Sequence, residues 1–159
     1  MVTTNFPDGI TSYGLPVETE MVVSRAAATL VNGTTIFTIT GGPIRVTDLV
    51  AVCVTANGAA LTTLQYSCDP VNGAPATFTG ASASLASAAA GASVALNGTA
   101  LTTAPDVTAS GPSLGPVAAR QGIYIPEGII TTVVGAGPST GTWSHHMRYV
   151  PLAPGVAVS

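Results

Sequence analysis

This chain has 159 residues, of which 7% are charged; it has four arginines, no lysine and a net charge of −3. One domain is expected at this length, and the scattered arginines argue against binding to nucleic acid or to a membrane surface. The mean hydropathy of +0.52 leaves too few charges to cover a monomer, so we expect an oligomer or a subunit of a larger assembly.

Residues 1–20 are predicted to form an extended N-terminal arm, because their prolines and glycines prevent regular structure. Several large apolar side chains nevertheless lie in this segment, and apolar groups are stabilised when they leave water. We therefore expect the arm to dock on a neighbouring chain, with an interface formed by Phe6, Ile10, Tyr13 and Leu15.

Four Asn-Gly pairs lie between apolar or threonine-rich runs, at Asn32-Gly33, Asn57-Gly58, Asn72-Gly73 and Asn97-Gly98. Asn-Gly favours a type I′ turn, in which both central residues have positive φ, and such turns join the strands of β-hairpins. The pairs therefore predict hairpins, the first between residues 25–31 and 34–40. Further strands are expected at residues 61–68, 74–79, 92–96 and 99–103, and a last hairpin at 129–134 and 141–150.

The longest strand signal runs from Ile44 to Thr55 and is rich in β-branched residues. It is apolar on both faces beyond Asp48, which predicts a position near the centre of a sheet. Asp48 would need a partner such as an arginine if it pointed inward. Residues 82–90 are the one plausible helix, and a loop is the alternative, because the serines and the flanking glycines limit a helix to about two turns.

Short strands with turn signals between them predict an all-β fold, an antiparallel sandwich or barrel built from hairpins. The body would span residues 21–150 and be followed by an extended C-terminal tail, residues 151–159. The charge-free stretch between Asp69 and Asp106 is too weakly apolar to span a membrane, and no secretory signal is visible at the N-terminus.

The chain offers few groups for catalysis or metal binding. His145 and His146 are adjacent on a predicted strand, so they point to opposite faces and cannot hold one metal ion together. Cys53 and Cys68 lack the spacing of a zinc site and are expected to be buried free thiols. We expect no catalytic, cofactor or metal site and no enzyme activity.

The two ends of the chain carry a family resemblance. The run TTNFPDGITSYGLPV at residues 3–17 resembles the start of small virion proteins of tailed bacteriophages, particularly phages of actinobacteria. The runs IPEGIITT at 125–132 and GTWSHHMRYVPL at 141–152 are similar to the end of the same proteins.

That family resembles head decoration (cement) proteins. The resemblance implies a structural protein on the outer capsid surface of the virion, made in the host cytoplasm. It also implies a homotrimer that bridges subunits of the major capsid protein, without nucleic-acid or membrane partners and without catalytic residues.

Two other readings stay open. The chain could be another phage structural part, such as a tail-tube or fibre subunit. It could also be a carbohydrate-binding or host-adhesion module, for which Trp143 and Tyr149, on one face of a predicted strand, would stack against sugar rings.

Overall fold

The computed structural model describes residues 19–95 and 122–159 and the backbone of residues 113–114. The described residues contain strands, turns and loops and no helix, and all strand pairs are antiparallel. The all-β fold predicted from the sequence is therefore confirmed. The strands are β1 (Met21–Thr29), β2 (Thr35–Thr40), β3 (Ile44–Thr55), β4 (Thr63–Pro70), β5 (Ala76–Thr77), β6 (Ser93–Ala95), β7 (Ser113–Leu114), β8 (Ile123–Ile125), β9 (Gly128–Gly135), β10 (Thr142–Pro151) and β11 (Ala157–Val158).

These strands form two sheets that pack into a sandwich. The first sheet has the order β1-β10-β3-β8-β7, with β6 also beside β3, and the second has the order β11-β2-β9-β4-β5. Without the short strands β6, β7 and β11, the sheets read β1-β10-β3-β8 and β2-β9-β4-β5. This is the strand order of an eight-stranded jelly roll, in which the chain repeatedly crosses from one sheet to the other.

Because of these crossings, most of the predicted hairpins are wrong. The Asn32-Gly33 and Asn57-Gly58 turns each join a strand of the first sheet to one of the second, as does the connection from β9 to β10. The Asn72-Gly73 turn does form a hairpin, since β4 pairs with β5. Asn97-Gly98 lies outside the described residues.

The turn at Asn32-Gly33 shows why the local prediction failed. Gly33 has a φ of +77°, whereas Asn32 is not among the described residues with positive φ, which is the pattern of a type II turn rather than type I′. The Gly33 N–H donates to Thr132 O on β9 (2.8 Å). The turn therefore leads the chain onto a strand that is distant in sequence, and short-range turn chemistry does not specify that partner.

β3 has the predicted bounds and lies inside its sheet, with β10 on one side and β8 and β6 on the other. Its two faces do not alternate as the sequence suggested. Across from it, Arg148 and Tyr149 are adjacent, but their partners are Asp48 and Val46, so Thr47 is an extra residue in a β-bulge. Before the bulge the even-numbered residues Ile44 and Val46 are buried in the core, whereas after it the odd-numbered residues from Leu49 to Cys53 are buried. Asp48 is therefore exposed.

The core lies between the inner faces of the two sheets. The first sheet contributes Trp143 and Met147 from β10 and the second contributes Phe37 from β2, all with no exposed surface. Their burial, together with that of the neighbouring aliphatic side chains, supplies the main stabilising free energy of the fold. The other fully or nearly fully buried large apolar side chains are Leu30, Ile39, Ile44, Val46, Leu49, Leu64, Ile125 and Ile130.

The helix considered for residues 82–90 does not form. The segment is a loop in which Ser87 has a φ of +56°, a conformation that a helix interior does not allow. Leu85 is buried in the core and Ala88 packs against it. This loop is therefore held by tertiary contacts, which override the helix preference of alanine.

Asn57 joins three loops at one end of the sandwich. Its Oδ1 accepts hydrogen bonds from Thr140 N (2.9 Å) and Gly141 N (3.1 Å), and its Nδ2 donates to Leu85 O (2.8 Å). Its backbone N–H donates to Ala88 O (2.9 Å). The side chain is almost fully buried, so these bonds have little competition from water and are costly to lose.

The C-terminal tail, predicted to be extended, bends and turns at residues 152–155 and then joins the second sheet, because Ala157 and Val158 pair with β2. The approach to this strand is close. A Cβ on Gly41 would lie 2.6 Å from the carbonyl oxygen of Gly155, and Gly41 has a φ of +79°. Glycine is required there by both the contact distance and the backbone conformation.

We predict that Asn57→Ala lowers the free energy of unfolding by about 2–4 kcal/mol, because it leaves buried N–H and C=O groups without partners. Asn72→Ala is the matched control, since Asn72 is exposed and makes no hydrogen bond with the described residues; it should change stability by less than about 0.5 kcal/mol. Urea unfolding of both variants provides the measurement. Equal effects would contradict the structural role of Asn57.

Candidate functional site

The interface predicted for the N-terminal arm, Phe6, Ile10, Tyr13 and Leu15, lies outside the described residues. The docking role of these side chains stays a prediction. The described chain begins at Thr19, and Glu20 already contacts the sandwich: its Oε1 accepts a hydrogen bond from the Thr47 hydroxyl (2.6 Å) and its Oε2 is 3.9 Å from Arg148 Nη1. These two contacts hold Glu20 beside the outer face of the first sheet.

The strand that follows, β1, is the most exposed element of the sandwich. Eight of its nine residues are exposed, and β1 pairs with β10 on one side while no described residue pairs with its other side. Its exposed side chains include Met21 and Val22, the latter with 68% of its surface accessible, and its one charged residue is Arg25. We call this strand and its free backbone groups the β1 edge.

Proteins that remain monomeric usually protect such edges with charges, prolines, bulges or covering segments, because free N–H and C=O groups pair with other strands. The β1 edge carries one irregularity, a register shift between Arg25 and Ala28, and it lacks lysine and proline. Its backbone and side chains can therefore bind a strand or an extended segment of another chain.

Next to the β1 edge, the outer face of the first sheet carries a small polar group around His146. The hydroxyl of Ser24 on β1 lies 2.9 Å from His146 Nδ1, and that of Ser144 lies 3.1 Å from Nε2. The imidazole bridges the two serine hydroxyls, and the direction of each hydrogen bond depends on the tautomer of the ring. No carboxylate of the described residues hydrogen-bonds to this histidine, and the group holds β1 to β10 across the sheet surface.

His145 points the opposite way, into the core, as the alternation of a strand requires. Its side chain is 3% exposed, and its Nδ1 shares a hydrogen bond of 3.1 Å with the hydroxyl of Tyr66 on the second sheet. The two rings meet edge to face with their centroids 5.9 Å apart. This polar contact bridges the two sheets within an otherwise apolar core.

Burial shifts the pKa values of this pair in opposite directions. It raises the pKa of Tyr66 above its ordinary value and lowers that of His145 from 6.5 to about 4, with a smaller electrostatic contribution from the adjacent His146. Both side chains are therefore neutral at physiological pH, where they act as a structural hydrogen-bonded pair.

The sugar-stacking platform considered for Trp143 and Tyr149 is wrong. Both residues lie on one face of β10, but that face is the inner one: Trp143 has no exposed surface and Tyr149 has 3%. A buried ring cannot stack on a ligand. The sequence showed that the two side chains share a face, but it did not show which face the second sheet covers.

Cys53 and Cys68 are buried and free, as predicted, and they lie on β3 and β4 in different sheets. Burial and the neighbouring Asp69 raise the pKa of the Cys68 thiol to about 11, so it stays protonated and unreactive. Within the described parts of the chain, no three His, Cys, Asp or Glu side chains are grouped to hold a metal ion, and no helix is suited to cross a membrane.

Comparison with known proteins adds no relative: no family model, no curated protein and no solved structure matches this chain.

We predict that His145 makes the sandwich less stable in mild acid. Its pKa is depressed in the folded state, so below pH 6.5 the unfolded chain binds a proton that the folded chain does not. Stability should fall as the pH drops from about 6.5 to about 4, by about 3 kcal/mol in total.

Urea unfolding across this pH range measures the effect in the wild type, in His145→Gln and in His146→Gln. The carboxylates titrate in all three proteins, so the difference between variants isolates each histidine. His145→Gln should lose this part of the pH dependence, whereas His146→Gln should keep it. An unchanged pH profile in His145→Gln would contradict the prediction.

Proposed function

We propose that this chain is a structural virion protein that decorates the outer surface of a bacteriophage head. In this proposal it forms a homotrimer and binds the major capsid protein, so that it bridges neighbouring capsid subunits. The observation that carries the proposal is the β1 edge, an exposed nine-residue strand with one charge, whose outer side pairs with no described residue. Such an edge is suited to binding another protein chain.

Three further features support an assembly role. The two ends of the chain resemble small phage virion proteins, as described above. The jelly-roll strand order occurs in viral capsid domains, although it also occurs in lectins and cupins and does not define a function by itself. The low charge and the mean hydropathy of +0.52 suit a surface that other subunits partly cover.

The energetics of attachment are compatible with this role. A protein interface of standard size buries about 1,600 Å², and apolar burial contributes ~25 cal/mol per Å², which leaves gross driving force after the cost of association. The arm and the β1 edge follow each other in the sequence, with Glu20 at their junction bound to Thr47. A neighbouring subunit that binds β1 would therefore meet the point at which the arm joins the sandwich.

The alternatives differ in their support. The carbohydrate-binding alternative is less well supported, because Trp143 and Tyr149, the proposed stacking residues, are buried. A tail-tube or fibre subunit would use the same exposed edge, so the geometry of one chain does not separate it from a decoration protein. The two roles are distinguished by whether the protein lies on the head or in the tail of the particle.

We predict that purified virions of the phage that encodes this chain contain it in a copy number comparable to that of the major capsid protein. A protein that bridges capsid subunits must be present in proportion to them. Quantitative mass spectrometry of gradient-purified particles, with heads and tails separated, gives this number. A low copy number in the tail fraction would support a tail or fibre subunit and contradict decoration.

We also predict that deletion of residues 1–17 leaves the sandwich folded but abolishes binding to undecorated heads or weakens the trimer. Burial of three of the four apolar arm side chains would contribute roughly 5–8 kcal/mol gross. Deletion of residues 1–5 is the matched control, because it keeps Phe6 and every later apolar side chain of the arm.

Sedimentation measures the oligomer, and occupancy on heads is measured by co-sedimentation with particles that lack the protein. Both deletions retain Thr19, Glu20 and the whole sandwich. If the protein without residues 1–17 still forms trimers and coats heads as well as the control does, the arm has no docking role.

A further inference from the structure

We propose that Asn72-Gly73 is a site of spontaneous deamidation, and that the fold protects the Asn32-Gly33 and Asn57-Gly58 pairs from the same reaction. All three pairs have the most permissive neighbour for this chemistry, because glycine has no Cβ to obstruct the approach of its backbone nitrogen. They differ in what the folded chain does with the two groups that must react.

The reaction joins the backbone nitrogen of the glycine to Cγ of the asparagine. The nitrogen loses its proton to base and forms the new N–Cγ bond, the Cγ–Nδ2 bond breaks, and ammonia leaves, so that a five-membered succinimide remains. Water then opens the ring at one of its two carbonyl carbons. The products are aspartate or isoaspartate, and no oxidant or reductant is involved.

At Asn57-Gly58 both reacting groups are already engaged in hydrogen bonds. The Gly58 N–H donates to the Thr140 hydroxyl (2.6 Å), which keeps the proton on the nitrogen. The Asn57 side chain is fixed at both of its ends, by Thr140 and Gly141 at Oδ1 and by Leu85 at Nδ2. Succinimide formation would require this buried group to break its hydrogen bonds first.

At Asn32-Gly33 the restraint is smaller but has the same form. The Gly33 N–H donates to Thr132 O (2.8 Å) on β9. The Asn32 Oδ1 accepts a hydrogen bond from Val134 N (3.1 Å) on the same strand. The nucleophile and the electrophile are thus both bound to β9, and the turn must separate from it before they can meet.

At Asn72-Gly73 neither restraint exists among the described residues. Both residues are exposed, and neither the Asn72 side chain nor the Gly73 N–H has a hydrogen-bond partner there. The turn joins β4 to β5, a two-residue strand at the edge of the second sheet. Weakly held edge elements of this kind open locally at low cost, which allows the glycine nitrogen to approach Cγ.

The reaction would change the surface at this end of the sandwich. It replaces a neutral amide by a carboxylate and takes the net charge of the chain from −3 to −4. The isoaspartate product also adds a methylene to the backbone of the turn. The adjacent Val71 N–H donates to Glu127 O, so the new charge would lie close to the segment that precedes β9.

The test incubates the purified full-length protein in mildly alkaline buffer made with heavy-oxygen water, followed by peptide mapping. Incorporated heavy oxygen marks deamidation that occurred during the incubation. We expect Asn72 to convert at least about tenfold faster than Asn32 and Asn57, a ratio equivalent to an opening free energy of about 1.4 kcal/mol. Asn72→Gln should lose the label at this site, because glutamine would have to form a larger, less favourable ring.

The same incubation in denaturant is the control for the fold. There the three pairs should convert at similar rates, which would attribute their difference in the native protein to structure. The proposal is overturned if Asn32 or Asn57 converts as fast as Asn72 in the folded protein. It is also overturned if Asn72 is slowed by folding as strongly as the other two.

Discussion

The structure depends on the burial of one apolar core between two sheets. Along the chain, strands β1 to β4 belong alternately to one sheet and to the other, and so do strands β8 to β11. Each crossing places consecutive strands on opposite sides of this core, so no sheet of the jelly roll can form from one local stretch of sequence. β3 and β10 are inner strands of the first sheet, and β9 and β4 are inner strands of the second. Residues such as Trp143 and Phe37 are then removed from water completely, and that burial is the main stabilising term.

Because of the crossings, buried side chain–backbone hydrogen bonds are concentrated in the loops at one end of the sandwich. These loops connect β3 to β4 and β9 to β10. Asn57 connects these loops to the segment around Leu85. Nearby, the Ser139 hydroxyl accepts a hydrogen bond from Leu30 N (2.7 Å) and donates one to Gly141 O (2.7 Å). Buried side chains thus satisfy backbone groups that have no strand partner. In the core, a hydrogen bond between two side chains, those of Tyr66 and His145, connects the two sheets.

Much of the local structure follows from the sequence, whereas the pairing does not. The bounds of β3 and the opposite orientations of His145 and His146 follow from composition and alternation. The Asn-Gly pairs at Asn32 and Asn57 led to wrong predictions of hairpins. Turn chemistry is local, whereas the partner strands of a jelly roll are distant in sequence. The bulge at Thr47, which exposes Asp48, depends on a cross-strand register that no single strand encodes. Of the candidate site, the docking role of the arm stays a prediction. The β1 edge was not predicted, because residues 25–31 were expected to pair with residues 34–40.

In the proposed role, this jelly roll covers the outside of a phage head and binds other chains through β1 and the arm that precedes it. A cryo-electron microscopy reconstruction of the intact virion tests it most directly. The account predicts density for the sandwich on the outer capsid surface, grouped in threes, with β1 facing a neighbouring chain. Density that fits the sandwich only in the tail, or a head whose copies leave β1 facing solvent, would contradict the account.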